Sequence, residues 1–199
     1  MKKDKFGWVL IGLLMGMIIG VLTWPEEAFG AEPVLQIASG QTVVDDLSHP
    51  NGQEIDEAVA YLSENKVVVP PEIEELCIEI GKENQICPEL LTAICWKESW
   101  FKADAVSASG SCIGLMQINR GCHRKRMDRL GVTDLYDPEQ NIRTGADYLK
   151  ELFIQYGDTA TCLELYNGDS TAASDQERTS GYARKIIEVS RALERAHWK

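Results

Sequence analysis

The sequence predicts a mainly α-helical domain that ends up outside the cytoplasm. Three observations carry this. After residue 70, apolar residues recur at helical spacing in segment after segment. Prolines and acids stand where helices would begin, and glycines where they would end. The chain opens with lysines followed by a long apolar run.

Lys2, Lys3 and Lys5 precede an apolar run of nineteen residues, Phe6 to Trp24, broken only by glycines and Thr23. This predicts a membrane-targeting segment over residues 1–30. Its length suits a retained anchor through residues 6–24. The small residues Ala28 and Gly30 before Ala31 suit a cleaved signal peptide, and both alternatives stand. In either case the positive flank places residues 31–199 outside the cytoplasm, anchored to the membrane or secreted to the cell wall.

Residues 31–70 read as an acidic linker. The stretch 31–72 carries eight acids against one lysine, and Gly40, Pro50 and Gly52 interrupt it. Within it, Glu54 to Glu64 has Ile55, Val59 and Leu62 on one face, which predicts a short helix. Val67 to Val69 before Pro70-Pro71 reads as an extended connector.

The domain is predicted over residues 71–199. Pro71 suits a first helical position, with Glu72, Glu74 and Glu75 near the positive end of the helix. Pro88 opens a second helix with Leu90, Leu91, Ile94 and Cys95 on its apolar side. Residues 102–114 are rich in Ser, Ala and Gly and read as a loop leading into a short β-like stretch, Gly114 to Asn119. His123 to Leu130 suggests a basic helix stopped by Gly131. Asp137 as N-cap, Pro138 at the first position and Gly157 after Tyr156 bound the clearest helix. Thr159 to Tyr166 and Ser180 to Ala196 complete the set.

Net charge is -11, with no basic stripe, which argues against a nucleic-acid partner. Cys77, Cys87, Cys95, Cys112, Cys122 and Cys162 all lie in the domain. An even number in an exported chain suggests disulfides. Connectivity stays open, with free buried thiols as the alternative. There is no CxxC pair and there are three histidines, so neither a metal nor a cofactor is expected. His123, beside Arg124, Lys125 and Arg126, reads as part of a solvated basic face.

One stretch stands out for chemistry. Glu98 comes just after the apolar run Leu90–Trp96 and is flanked by Trp96, Trp100 and Phe101. Loss of water around a carboxylate raises its pKa, and a proton held near neutral pH can be donated. By itself Glu98 also fits a solvent-facing residue at a helix end.

Glu98-Ser99, then Gly114-Leu115-Met116-Gln117-Ile118-Asn119, then Tyr166-Asn167-Gly168 closely resemble the successive motifs of lytic transglycosylases with a lysozyme-like fold. Asp137-Pro138-Glu139-Gln140-Asn141-Ile142 and Gly181-Tyr182-Ala183 resemble that family's later helices. The likeness covers residues 73–190. Two departures stand: Asn167 meets Gly168 directly where the family commonly has one residue between, and the loop 108–113 is one residue longer.

The resemblance implies a lysozyme-like helical catalytic domain acting on the glycan strands of peptidoglycan. It implies that Glu98 alone, acid then base, cleaves the β-1,4 bond between N-acetylmuramic acid and N-acetylglucosamine and leaves 1,6-anhydromuramic acid ends. It also implies substrate contacts from Ser99, Met116, Gln117, Tyr166 and Asn167, with Tyr166 near the catalytic carboxylate and Tyr182 as a looser candidate for similar work. Each has a plainer reading: Ser99 as a helix-end serine, Met116 as core filling, Tyr166 as a core tyrosine. The competing functions are a goose-type lysozyme-like hydrolase, using a second carboxylate from Asp104, Asp128, Asp134 or Asp137, and a non-catalytic wall-binding assembly protein. By analogy alone, a partner conjugation or secretion apparatus is a further expectation.

Overall fold

The structure, a computed structural model, describes residues 50–174 and 180–197. The membrane-targeting segment and the linker up to residue 49 lie outside the described residues. No helix among the described residues is long and apolar enough to cross a membrane.

The described chain is mainly helical. Helix α1 spans Gly52–Glu64, α2 Pro71–Asn84 and α3 Pro88–Ser99. A two-stranded hairpin comes next, β1 Cys112–Ile113 and β2 Ile118–Asn119. The order then runs α4 Arg124–Leu130, α5 Pro138–Tyr156, α6 Thr159–Tyr166 and α7 Gly181–His197.

Local chemistry sets these ends. Asn51 and Glu54 close a capping box on α1: Glu54 N–H donates to Asn51 Oδ1 at 3.0 Å and Asn51 N–H to Glu54 Oε2 at 2.8 Å. Pro71 and Pro88 occupy first helical positions, where no backbone N–H is needed. Asp137 Oδ1 accepts from Gln140 N–H at 2.9 Å, Pro138 is next, and Gly157 ends α5. These are the boundaries that the sequence signals mark for α5.

Helix α3 is the centre of the fold. Its residues Leu90 to Trp96 are buried without interruption, as expected of a helix with neighbours on every side. It packs against α2 and α7; α2 continues onto α5, α5 onto α6, and α6 back onto α7. Each large apolar side chain buried here contributes about 1.5–3 kcal/mol. Helix α1 lies on α7, with Ala58 and Leu62 in the common core. Lys185 of α7 donates to Tyr61 Oη at 2.9 Å and Asn65 Oδ1 at 2.7 Å, fastening α1.

The hairpin is antiparallel, pairing Cys112 with Asn119 and Ile113 with Ile118. Its inner side is held by the buried amide of Asn141. Asn141 Oδ1 accepts from Met116 N–H, and its Nδ2 donates to Ile113 O and Leu135 O, each at 2.8 Å. Gly114 makes this possible: its φ is +78°, and a Cβ there would stand 2.2 Å from Asn141 Nδ2.

All six cysteines are free thiols in the structure. Arg126 departs from the solvated basic face suggested by the sequence. It donates to Asp147 at 2.7 Å, to Glu151, and to His123 Nδ1 at 2.8 Å, and its guanidinium covers the Tyr148 ring.

Candidate active site

Glu98 lies in the last turn of α3, one residue before a buried serine. It is half-buried. Burial pushes its carboxyl pKa up; a hydrogen bond from Tyr182 and the charge of Lys97 oppose this without cancelling it. The hydrogen bond runs from the Tyr182 hydroxyl to Glu98 Oε1, across from α7. Burial, and then the charge of Glu98, push the Tyr182 phenol far above its ordinary value, so it stays protonated and donates. The pair makes a carboxyl group inclined to hold a proton and fixed in direction by one neutral donor.

Ser99 does not face Glu98. Its hydroxyl is buried, 2.9 Å from the carbonyl oxygens of both Cys95 and Leu115. It ties the end of α3 to the hairpin. Met116 is fully buried, and its backbone is held at both ends: Asn141 accepts its N–H and Tyr166 donates to its carbonyl at 2.8 Å. Its side chain lies over Gly145, where an added Cβ would come within 2.5 Å of the sulfur.

Gln117 has φ +48°. Its side-chain amide donates to Gly114 O at 3.0 Å and Ala105 O at 3.3 Å, bracing the loop before β1. Tyr166 packs its ring on Tyr148, centroids 5.5 Å apart. Its hydroxyl bonds Met116, so the donor to Glu98 is Tyr182. Tyr166 is nonetheless near enough for the charge of Glu98 to help raise its pKa, after burial. Asn167 is exposed at the C-terminal cap of α6, and Gly168, φ +92°, turns the chain directly after it. Thus Glu98, Tyr182 and Tyr166 converge, while Ser99, Met116 and Gln117 hold the frame around them.

The candidate second carboxylates have surroundings of their own. Asp137 caps α5, and Asp134 accepts from Tyr136 N–H at 2.8 Å. Asp104 and Asp128 are exposed. One acid escaped the sequence reading: Glu164 in α6, buried and bonded to Ser180. A lone charge between Leu163 and Leu165 was the signal for it.

Comparison with known proteins shows the family. The Transglycosylase SLT domain family matches residues 75–188, more than half of the chain. The chain is 32% identical to "X polypeptide" of Escherichia coli over 121 residues, 57% of this chain and 71% of that one. It is 35% identical to a transglycosylase of Enterobacteria phage PRD1 over 100 residues, 50% of this chain and 36% of the phage protein. It is 41% identical to membrane-bound lytic murein transglycosylase F of Maricaulis maris (strain MCS10) over 73 residues, 37% of this chain and 15% of that protein. An inactive mutant of the lytic transglycosylase Slt from Pseudomonas aeruginosa shares the fold, with a TM-score of 0.50 and 23% identity, covering 73% of this chain and 26% of that one. The chain therefore belongs to the Transglycosylase SLT domain family, as a peptidoglycan lytic transglycosylase.

Proposed function

We propose that Glu98 performs both proton transfers in cleaving the β-1,4 bond between N-acetylmuramic acid and N-acetylglucosamine. The observation that supports this is a half-buried carboxyl held by a hydrogen bond from the Tyr182 hydroxyl, its pKa raised by burial, with no second carboxylate among the described residues that shift it. Glu98 gives its proton to the glycosidic oxygen as the bond to the anomeric carbon breaks. The carboxylate left behind takes the proton of the muramic acid 6-hydroxyl, whose oxygen bonds to the anomeric carbon. The products are a free N-acetylglucosamine 4-hydroxyl and a 1,6-anhydromuramic acid end, and no water is consumed. Such a general acid contributes about 10²–10⁴ in rate.

Tyr182 aims the carboxyl. Tyr166, Met116, Gln117 and Ser99 shape the wall behind it, and exposed Asn167 is the one of the predicted contact residues free to meet sugar from the rim. The domain acts outside the cytoplasm, a reading that rests on Lys2, Lys3, Lys5 and the apolar run 6–24. Local wall opening for a conjugation or secretion apparatus is the physiological role that this proposal favours, on analogy.

Digestion of purified peptidoglycan followed by mass spectrometry of the muropeptides tests the reaction. Anhydromuramic ends are expected. Reducing-end muramic acid would replace this reading with the hydrolase.

A further inference from the structure

The geometry points to Glu164 as a positioning residue for the catalytic pair, acting through Ser180 and Tyr182. The inference rests on the proposed role of Glu98 as the proton donor.

Glu164 is 2% exposed, in the midst of apolar α6 neighbours. A buried carboxylate is costly unless its oxygens are satisfied. Both of its oxygens are satisfied by a single residue: Ser180 N–H donates to Oε1 at 2.6 Å and the Ser180 hydroxyl donates to Oε2 at 2.7 Å. Ser180 immediately precedes α7. Its carbonyl accepts the Arg184 N–H at 3.2 Å and its Oγ accepts the Tyr182 N–H at 3.0 Å, the pattern of an N-cap. Glu164 therefore grips the cap of α7 from outside and places negative charge at the helix's positive end. The same residue closes the turn after α6, where Asp169 N–H donates to Glu164 O at 2.9 Å.

The consequence lies two residues on. Tyr182 is in the first turn of α7, and its hydroxyl donates to Glu98 Oε1. The ring swings on a backbone whose position the Glu164–Ser180 clamp sets. A helix start free to shift by a fraction of an ångström would lengthen that bond and alter the direction of the carboxyl, and positioning errors of that size cost rate steeply. Among the described residues, the groups that bear on Glu98 are Tyr182 from α7 and Lys97 beside it. Its own charge bears in turn on Cys95 beneath it and Tyr166 from α6. Of the two that bear on it, only Tyr182 depends on the clamp.

The test uses the purified full chain on peptidoglycan, with kcat, KM and the pH profile of kcat measured for wild type, Glu164→Gln, Ser180→Ala, Tyr182→Phe and the double variant Glu164→Gln/Tyr182→Phe. In Glu164→Gln the amide nitrogen replaces an acceptor with a donor facing Ser180. In Ser180→Ala the Glu164 carboxylate stays but the bridge to Tyr182 N–H is gone. Each is expected to lower kcat by about 10-fold with KM little changed. Each is also expected to move the alkaline limb of the profile to higher pH, in the direction of Tyr182→Phe, because losing the Tyr182 donor lets Glu98 hold its proton longer. The double variant should be no worse than Tyr182→Phe alone. A loss of thermal stability with the alkaline limb unmoved would make Glu164 merely structural and overturn the inference. If Glu164→Gln fails to fold, Ser180→Ala carries the test alone. The outcome is separable from the reaction type: reducing-end products from wild type would overturn transglycosylation, while the limb shift still reports the proton donor.

Discussion

The Tyr182 hydroxyl donates to Glu98 Oε1, and burial still leaves the Glu98 carboxyl with a raised pKa. Two outcomes are expected for Glu98→Gln. Activity falls by about 10²–10⁴-fold, since no proton can be donated. Stability moves the other way, with a definite pH dependence. A carboxyl whose folded pKa lies above its unfolded value favours the fold when protonated. That contribution is complete below the ordinary carboxylate range and is lost as pH rises through the folded pKa. The neutral amide does not lose it. Glu98→Gln should therefore match wild type in melting temperature at low pH and exceed it at neutral pH and above. A lower melting temperature at pH 7 would show that Glu98 is not under strain there.

Asn141 is the keystone of the wall behind Glu98. Three backbone groups, Met116 N–H, Ile113 O and Leu135 O, depend on its one amide. Stranding a buried polar group costs about 1–3 kcal/mol. Asn141→Ala should cost at least about 3 kcal/mol, read from the urea midpoint. Asn141→Asp should also destabilise, because it turns the donor to two carbonyls into an acceptor. A loss under about 1 kcal/mol in both variants would mean that water or neighbours replace the amide easily.

This keystone also shows what the sequence could disclose. Asp137, Pro138 and Gly157 bound α5 because caps act on backbone groups within a turn, so the signal is local. Glu98 stands out for the same reason: its apolar neighbours are adjacent in the chain. Which tyrosine reaches Glu98 is another matter. Tyr166 and Tyr182 each lie on a helix with a plausible motif, and only the packing of α7 on α3 and α6 decides that Tyr182 bonds the carboxyl and Tyr166 bonds Met116. Ser99, Met116 and Gln117 are motif residues whose polar groups turn to backbone rather than outward. Glu164 carried a weak signal, but its partner Ser180 is sixteen residues away and no periodicity links them.

Trp100 ends α3 in a left-handed conformation, φ 54° and ψ 40°, and Phe101 comes next at φ 61°. A side chain in that region costs roughly 1–2 kcal/mol, and glycine avoids it. Trp100 is 56% exposed and touches Trp96 edge-on, with ring centroids 5.3 Å apart, so truncation gives up little buried surface. Stability should rank Trp100→Gly above Trp100→Asn above Trp100→Ala, with glycine about 1 kcal/mol above alanine. Thermal unfolding of the three variants decides it. Alanine equal to glycine would mean that the backbone here relaxes without strain.

Cys77 of α2 and Cys95 of α3 are both fully buried, and each shifts the other's thiol pKa, Cys77 downward and Cys95 upward, as neighbouring sulfurs do. These are the two sulfurs we expect to join when the chain folds in an oxidising compartment. Closing a loop of this size stabilises by about 3 kcal/mol in the chain-entropy account. The staple would sit one turn before Glu98 and hold α3 to α2, so reduction should lower both melting temperature and activity. Refolding in a glutathione redox buffer, followed by a non-reducing peptide map, tests the pairing. The Cys77–Cys95 peptide pair should appear, and Cys77→Ala/Cys95→Ala should make stability and activity indifferent to reductant. A map joining either cysteine to a different partner, or equal activity of the wild type with and without reductant, would show that no such staple holds α3.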